Sequence, residues 1–251
     1  MPFFIPTMIE IIAFDADDTL WENESLYHRA KGELARILSP CQEPNWVSRK
    51  LDEIEVSNLQ FYGYGIKSFT LSMIETAAEA VDGKIEAQTI SAILEIAKRM
   101  LSAEVELLDH TEQTLSNLNS DYDLMLVTKG DLFEQQRKIE RSGIGDCFKV
   151  IEVVARKTPA SYLDILKKYD IDVERFLMVG NSLRSDILPV VAIGGRAVYI
   201  PNEHTWSHEV PDQEEVEGAV YDQLEHLGQL PEYITALERT LDSTETLESC
   251  Q

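Results

Sequence analysis

The sequence of 251 residues predicts an α/β protein built on an open, doubly wound parallel sheet. The first observation is a set of short apolar runs rich in β-branched residues, whose brevity favours buried strands over helices. The second is that these runs do not alternate with polar residues, as expected of strands covered on both faces. The predicted strands are residues 9–14, 124–127, 150–154, 176–179 and 197–200.

Helix-like stretches separate the later strands, and this order is the third observation. A strand followed by a helix and then another strand, repeated along the chain, is typical of a parallel sheet with helices on both faces. The carboxyl ends of such strands meet at one edge, where open α/β sheets bind their ligands. The predicted helices of this part are residues 111–118, 132–141, 160–169 and 183–191.

A long helical insertion separates the first predicted strand from the second, and it is too long for a single crossover. We expect it to form a separate helical lobe. One amphipathic helix within it is predicted by apolar residues at helical spacing, namely Ile90, Ile93, Leu94, Ala97 and Leu101. The predicted division is a core of residues 1–21 and 107–240, a lobe of residues 22–106 and a flexible acidic tail of residues 241–251.

The composition restricts the partners and the location of the protein. Lys and Arg number 22 against 45 Asp and Glu, which gives a formal net charge of −23. Such a chain repels polyanions, so we expect neither nucleic acid nor an anionic membrane as a partner. Three cysteines that lie far apart suit a reducing compartment, and the N-terminal segment lacks the basic region of a signal peptide. We therefore expect a cytoplasmic protein that acts on a small molecule; the sequence predicts no particular oligomeric state.

An acidic motif, Asp15-Ala-Asp-Asp-Thr19, follows the first predicted strand directly. Asp15 and Asp17 are two residues apart and can point into the same crevice while Asp18 points away. One carboxylate can then attack an electrophile while the other transfers a proton. Because two such carboxylates repel each other, a bound Mg²⁺ with oxygen ligands is implied.

Polar groups also follow three other predicted strands. Thr128 ends the second strand, Lys157 follows the third, and residues 180–186 follow the fourth. A hydroxyl and an ammonium group beside an Asp pair can neutralise phosphoryl oxygens, so the predicted chemistry is phosphoryl transfer to a carboxylate. The alternatives are a solvated acidic turn with Thr19 as a helix N-cap, surface positions for Thr128 and Lys157, and Arg156 in place of Lys157.

In this order the motifs resemble those of the haloacid dehalogenase-like superfamily, which has a Rossmann-like core. The long insertion after the first motif is similar to the helical C1-type cap of one subfamily. The dehalogenase branch lacks the second Asp of the first motif, so the resemblance implies the phosphatase branch. The matching residues are Asp15, Asp17 and Thr19 in the first motif, Thr128 in the second, Lys157 in the third and, loosely, residues 180–186 in the fourth.

The resemblance implies a role for each matching side chain. Asp15 would be the nucleophile that becomes an aspartyl-phosphate, and Asp17 would be the general acid and base. Thr128 and Lys157 would bind the phosphate. Lys129, where many relatives have Asn, would either add positive charge beside the phosphate or face solvent.

The resemblance also implies a Mg²⁺ ion held by Asp15, the backbone carbonyl of Asp17 and the fourth motif. Here the sequence departs from the family, which commonly has Asp at the position of Asn181. An amide oxygen carries no charge, so Asp186 is the alternative ligand. The implied function is Mg²⁺-dependent hydrolysis of a small phosphate monoester. Asn181 leaves open a weakly active or inactive phosphate-binding regulatory protein, and the same Asp pair could serve a phosphomutase.

Four further residues are candidates for the lining of a substrate cavity. Trp21 follows the acidic motif, whereas Tyr62, Tyr64 and Lys67 lie in or beside a glycine-containing segment that interrupts the helical lobe. Interior packing is the alternative for these aromatic residues, and the sequence leaves both interpretations open.

Overall fold

The computed structural model describes residues 9–248. Within them, six parallel strands form a sheet: β1 (Ile11–Phe14), β2 (Asp123–Lys129), β3 (Val150–Val154), β4 (Phe176–Gly180), β5 (Arg196–Tyr199) and β6 (Asp222–Gln223). Their order across the sheet is β3-β2-β1-β4-β5-β6. The chain thus extends the sheet to one side of β1 and then returns to extend it to the other. This confirms the predicted doubly wound fold, and it places the reversal of strand order beside β1, where such sheets bind ligands.

The part of the chain between β1 and β2 is helical, and we define residues 24–102 as the helical lobe. Gly63 and Gly65 interrupt it with φ angles of 68° and 114°, which favour glycine. The predicted loop at residues 62–65 is therefore present, although Tyr62 still belongs to the preceding helix. The helices of the lobe are α1 (Glu24–Leu38), α2 (Pro44–Tyr62), α3 (Ile66–Ala80) and α4 (Ala87–Ser102).

The later helices connect the strands and cover the sheet. A π-helical turn, Leu183–Ile187, replaces the first part of the helix predicted at residues 183–191. Turns of this kind often occur at functional sites, and this one includes Asp186. The helices are α5 (Thr111–Leu118), α6 (Leu132–Ser142), α7 (Pro159–Tyr169), α8 (Leu188–Val191), α9 (Gln213–Val216) and α10 (Leu230–Glu248).

Strand β1 shows why the apolar runs do not alternate. Ile12 and Phe14 pack into an apolar cluster on one face of the sheet, and Ala13 packs into another cluster on the opposite face. Successive side chains of a strand point to opposite faces, so a strand covered on both sides must be apolar throughout. Burial of Phe14 alone contributes about 1.5–3 kcal/mol. This packing fixes the end of β1 and the position of Asp15 that follows it.

The helical lobe packs around an apolar cluster of its own, distinct from the two clusters that cover the sheet. Leu34, Leu51, Phe69 and Ile93 belong to it and are almost completely excluded from solvent. A separate apolar core is the mark of a structural unit. The predicted division of the chain at residues 22 and 106 remains our interpretation of this arrangement.

The face predicted for the helix at residues 90–101 needs correction. The buried residues of α4 are Ile93, Ile96, Ala97 and Met100. Leu94, which the spacing placed on the same face, is 43% exposed. The apolar stripe of this helix is wider than its buried face, and helical spacing alone does not say which edge of the stripe meets the neighbouring helices.

The C-terminal prediction also needs correction. Helix α10 continues through residues 241–248, which the polar composition assigned to a tail. Leu230 and Ile234 are buried and anchor the first turns, and a nucleated helix extends readily through polar residues. Residues 1–8 and 249–251 lie outside the described residues, and flexibility of the tail remains a prediction. Across residues 9–248, every helix is too short or too polar to cross a bilayer.

Candidate active site

Asp15 lies at the carboxyl end of β1, beside the point where the strand order reverses. Its backbone N–H donates to the carbonyl of Val179 in β4 at 2.9 Å, and its side chain is buried. The hydroxyl of Thr19 lies 3.0 Å from Asp15 Oδ2 and 3.2 Å from Asn181 Oδ1. Thr19 Oγ1 also accepts a hydrogen bond from the backbone N–H of Asn181 at 3.1 Å. Thr19 therefore joins the loop after β1 to the loop after β4.

Lys157 connects two buried carboxylates. Its Nζ contacts Asp15 Oδ1 and lies 2.6 Å from Asp186 Oδ1. Burial alone would lower the pKa of Lys157, but the charges of Asp15 and Asp186 outweigh it and raise that pKa. Burial raises the pKa of Asp186, and the charge of Asp15 acts in the same direction. One ammonium group thus faces two carboxylates, so this part of the site has a deficit of positive charge.

Gly180, the last residue of β4, allows Asp186 to approach the strand closely. A Cβ atom at position 180 would lie 2.3 Å from Asp186 Oδ2 and 2.6 Å from Asp186 Cβ, far inside contact distance. Asp186 Oδ2 accepts a hydrogen bond from the backbone N–H of Ser182 at 2.9 Å, which holds the carboxylate there. The glycine of the fourth motif is therefore required by this close approach.

We expect Gly180→Ala to displace Asp186 and to destabilise the fold by about 1–3 kcal/mol, the usual cost of overpacking. For a protein of this size the melting temperature should fall by roughly 2–4 °C for each kcal/mol, measured by calorimetry. Gly32→Ala is the matched control, because a Cβ atom there meets nothing within 4 Å and alanine favours the helix. A Gly180→Ala protein as stable as Gly32→Ala would contradict the assigned role of the glycine.

Asp17 is held by a different set of side chains. Lys138 Nζ lies 2.6 Å from both of its carboxylate oxygens. Trp21 Nε1 donates to Oδ1 at 2.6 Å, and Gln135 Nε2 donates to Oδ2 at 3.2 Å. Asp18 also lines the cavity, but its carboxylate accepts hydrogen bonds from two backbone N–H groups at the start of α1. The acidic motif thus combines a helix cap with two carboxylates that remain in the crevice.

Thr128 is buried at the end of β2, and Gln135 connects it to Asp17. Gln135 Nε2 donates to Thr128 Oγ1 at 2.6 Å, and the same amide reaches the Asp17 carboxylate. Surface positions for Thr128 and Lys157 are excluded by their burial, and Arg156 is exposed instead. The hydroxyl of Thr19 bonds within the site, so it is Asp18 that caps α1.

Lys129 points into the site and not into bulk solvent. Its Nζ donates to Ser185 Oγ at 2.8 Å, contacts Glu209 and lies 4.6 Å from the centre of the Tyr64 ring. Burial would raise the pKa of Glu209, but Lys129 and the hydroxyl groups of Ser182 and Ser185 outweigh it and lower that pKa to about 2. Lys129 is therefore neutralised by an ionised Glu209.

All seven predicted site residues line a single cavity. Of the four other candidates, Tyr64 lines it as well, whereas Trp21 is buried behind Asp17 and Tyr62 is 48% exposed. Lys67 pairs with Asp131 at 2.7 Å and lines a neighbouring cavity. The site residues in the cavity are Asp15, Asp17, Thr128, Lys129, Lys157, Asn181 and Asp186.

Three residues that contact the predicted site residues were not themselves predicted from the sequence. Gln135 and Lys138 are three residues apart on α6, so they share a helix face directed at Asp17. That spacing after the second motif is a signal that could have found them. Glu209 ends a single 3-10 turn, Ser207–Glu209, in the connection after β5, and no periodicity or motif points to it.

The site contains carboxylate and amide oxygen atoms, which are ligand types that Mg²⁺ prefers. Asp15 and Asp186 contact the same ammonium group, and the amide oxygen of Asn181 lies one hydroxyl away from Asp15. Mg²⁺ is bound in proteins by one or two carboxylates with other oxygen ligands and water. Among residues 9–248, no group of three or more His, Cys, Asp or Glu side chains is arranged to hold a metal ion. The fit therefore depends on two carboxylates assisted by amide and carbonyl oxygens.

A family model described as haloacid dehalogenase-like hydrolase matches residues 9–194. The chain belongs to that family. A haloacid dehalogenase-like family hydrolase from Xanthomonas campestris is 38% identical, with a TM-score of 0.82 and coverage of 94% of each chain. Among curated proteins, none matches this hydrolase.

More distant members of the family share the fold with this hydrolase but differ in their stated activity. A 2-haloacid dehalogenase from Pseudomonas syringae is 22% identical, with a TM-score of 0.59 and coverage of 91% of this chain and 99% of that one. A phosphatase from Thermococcus onnurineus is 19% identical, with a TM-score of 0.59 and coverage of 90% and 98%. The fold alone therefore does not decide between phosphatase and dehalogenase.

Proposed function

We propose that this hydrolase is a Mg²⁺-dependent phosphatase of small phosphate monoesters. The observation that carries the proposal is the position of Asp17, whose carboxylate lines the same cavity as Asp15. Attack by a carboxylate on phosphorus needs a proton donor for the leaving oxygen, and we assign that role to Asp17. The dehalogenase branch has no carboxylate at this position. The helical lobe contributes Tyr64 to the cavity, which suits the role of a cap over the substrate.

In the proposed reaction, an oxygen of Asp15 attacks the phosphorus atom and the bond to the ester oxygen breaks. Asp17 gives its proton to that oxygen, so the product leaves as a neutral alcohol. Asp17 then takes a proton from a water molecule, whose oxygen attacks the phosphorus of the aspartyl-phosphate. The bond between phosphorus and the Asp15 oxygen breaks, which releases inorganic phosphate and restores the Asp15 carboxylate. Lys157 and Thr128 stabilise the charge on the phosphoryl oxygens. Lys138 and Gln135 hold Asp17 in the orientation that both proton transfers need.

A Mg²⁺ ion would be held by Asp15, the backbone carbonyl of Asp17 and Asp186, with Asn181 as a further oxygen donor. When bound, it would supply positive charge that a site with two carboxylates against one lysine lacks. We favour Asp186 over Asn181 as the charged ligand. Asp186 shares Lys157 with Asp15, whereas the oxygen of Asn181 is within hydrogen-bond distance of Thr19.

Metal removal is the direct test of this proposal. We expect the protein to release phosphate from an aryl phosphate in the presence of Mg²⁺, and EDTA to reduce the rate by at least about 100-fold. Added Mg²⁺ should restore the rate. A panel of monoesters and 2-chloropropionate are assayed in parallel for phosphate and chloride. Chloride release without phosphate release would identify a dehalogenase and overturn the proposal.

A phosphate-binding protein with little turnover is the second candidate, and Asn181 favours it because an amide weakens metal binding. Beryllofluoride with Mg²⁺ imitates a phosphorylated carboxylate and should raise the melting temperature of a competent enzyme. Stabilisation by beryllofluoride without phosphate release from any ester would favour the binding protein. A phosphomutase is separated by its products, since it returns a phosphorylated isomer and little free phosphate.

A further inference from the structure

The wall of the cavity that the helical lobe provides is acidic and partly aromatic. It lines the same cavity as the motif residues and would therefore be available to the alcohol part of a phosphate ester bound at Asp15. The charged side chains of this wall are carboxylates from α1 and α2, and two aromatic rings stand beside them. The residues of this wall used below are Glu24, Tyr27, Glu55 and Phe69.

Glu55 is a buried carboxylate with an incomplete set of partners. The residue is 9% exposed, and its Oε2 atom has no hydrogen-bond partner among the described residues. Lys31 Nζ lies 3.7 Å from Oε2, but this ammonium group donates to Asp52 at 2.7 Å. A buried carboxylate that shares its one cation is costly, and a cationic ligand in the cavity would reduce that cost through its charge, without a bond to the enclosed Oε2 atom.

Glu24 adds a second carboxylate to this wall. Burial raises the pKa of Glu24 to about 8, with Lys31 opposing the shift and Asp18 and Glu55 adding to it. Burial also raises the pKa of Glu55 to about 7, with Lys31 again opposing. The single positive charge of Lys31 is therefore shared among several carboxylates. Without a further cation these two acids carry less than their full negative charge near pH 7, and an ammonium group beside them would favour their ionised form.

The lysines that line the cavity are already engaged. Lys129 pairs with Glu209, Lys138 pairs with Asp17, and Lys157 lies between the two carboxylates of the motifs. Among the described residues that line the cavity, every lysine is therefore already paired with a carboxylate. An alcohol part that carries its own carboxylate would gain no free lysine there, and it would lie near Glu24 and Glu55. The net charge of −23 adds to that repulsion.

The ring of Tyr27 is placed to assist a cation. Tyr27 lines the cavity and is only partly buried, and the buried ring of Phe69 packs edge to face against it, with ring centroids 4.9 Å apart. Aromatic faces attract ammonium groups, and carboxylates beside such rings strengthen the attraction. Neutral alcohols would gain only apolar contact and single hydrogen bonds from the same wall.

We infer that the cavity selects a phosphate ester whose alcohol part carries an ammonium group, held by the negative charge of Glu55 and Glu24 beside the ring of Tyr27. The inference rests on the proposed function for the ester bond, and it adds the chemical class of the substrate. It excludes esters of hydroxy acids as good substrates, because their carboxylate would face the acidic wall.

Three phosphonates, which cannot be hydrolysed, test the inference by binding. They are 2-aminoethylphosphonate, 2-hydroxyethylphosphonate and phosphonoacetate, which differ in the charge of the distal group. With Mg²⁺ present, we expect calorimetry to show the amine binding about tenfold more tightly than the alcohol, and the carboxylate more weakly than either. Equal affinities, tighter binding of the carboxylate, or no binding of the amine would each overturn the inference.

Glu55→Gln is the decisive variant, because it keeps the shape of the side chain and removes its charge. The ratio of amine to alcohol affinity should fall by about tenfold in this variant. Glu53→Gln is the matched control: it removes a carboxylate from the same helix, but its side chain is 61% exposed and contacts Lys50. An unchanged ratio in Glu55→Gln would contradict the inference. If Glu55→Gln does not fold, the order of the three affinities in the unmodified protein still decides.

Phosphate esters that carry the same three distal groups distinguish failure of this inference from failure of the proposed function. Hydrolysis of all three esters without preference for 2-aminoethyl phosphate would leave the phosphatase intact and overturn the selectivity. Absence of phosphate release from every ester would overturn the phosphatase proposal. In that case a preference for the amine in the binding experiment would still support a cation-selective cavity.

Discussion

Asp15→Asn is expected to lower the rate of phosphate release from an aryl phosphate by about 10⁴-fold or more, as loss of a nucleophile does in other enzymes. An amide oxygen does not form the acyl phosphate, so only the positioning of water by the remaining residues would be left. The fold should survive the change, because Lys157 then faces Asp186 alone and one buried negative charge is removed. The rate of phosphate release and the melting temperature are measured on the same preparation.

Asp164→Asn is the matched control for this substitution. Asp164 is an exposed carboxylate on α7, and the same change there should alter neither the rate nor the melting temperature. Beryllofluoride provides a second measurement that does not depend on turnover. It should stabilise the unmodified protein in the presence of Mg²⁺ and have no effect on Asp15→Asn. Substantial activity in a folded Asp15→Asn protein would mean that water attacks the ester directly.

The sheet was predictable because its signal is local. A strand covered on both faces must be apolar at every position, so β1 and β4 can be found from a few consecutive residues. The alternation of strands and helices then predicts that the strands are parallel and that their carboxyl ends share one edge of the sheet. Asp15, Thr128, Lys157 and the fourth motif follow those ends, so they could be predicted to lie together. The two-residue strand β6 is too short to carry such a signal.

The side chains that contact the predicted site residues were harder to predict from the sequence. Gln135 and Lys138 contact Asp17 from a helix more than 100 positions away, and only the packing of α6 against the acidic loop shows it. The pairing of Lys129 with Glu209 has the same origin. The lysine was predicted to be either beside the phosphate or in solvent, and its partner comes from the connection after β5, 80 positions away. Long-range pairs of charged residues leave no periodicity in a single sequence.

Lys157→Met is the second change with a large expected effect. It removes the ammonium group that separates the buried carboxylates of Asp15 and Asp186. Breaking a buried ion pair from one side costs roughly 3–5 kcal/mol, because the remaining charges are left uncompensated. We expect a clear fall in melting temperature and loss of phosphate release, since the charge of the phosphoryl group is no longer balanced. Lys168→Met is the control, because that lysine pairs with Glu152 but its side chain is 60% exposed.

A double variant, Lys157→Met with Asp186→Asn, separates stability from catalysis. It removes one of the two buried carboxylates together with the lysine, so the repulsion between Asp15 and Asp186 disappears and much of the lost stability should return. Phosphate release should stay absent, because both the phosphate-binding cation and the favoured metal ligand are missing. Recovery of activity together with stability would show that Lys157 acts only in folding. If neither the melting temperature nor phosphate release recovers, Lys157 must stabilise the loops after β3 and β4 through contacts other than its charge.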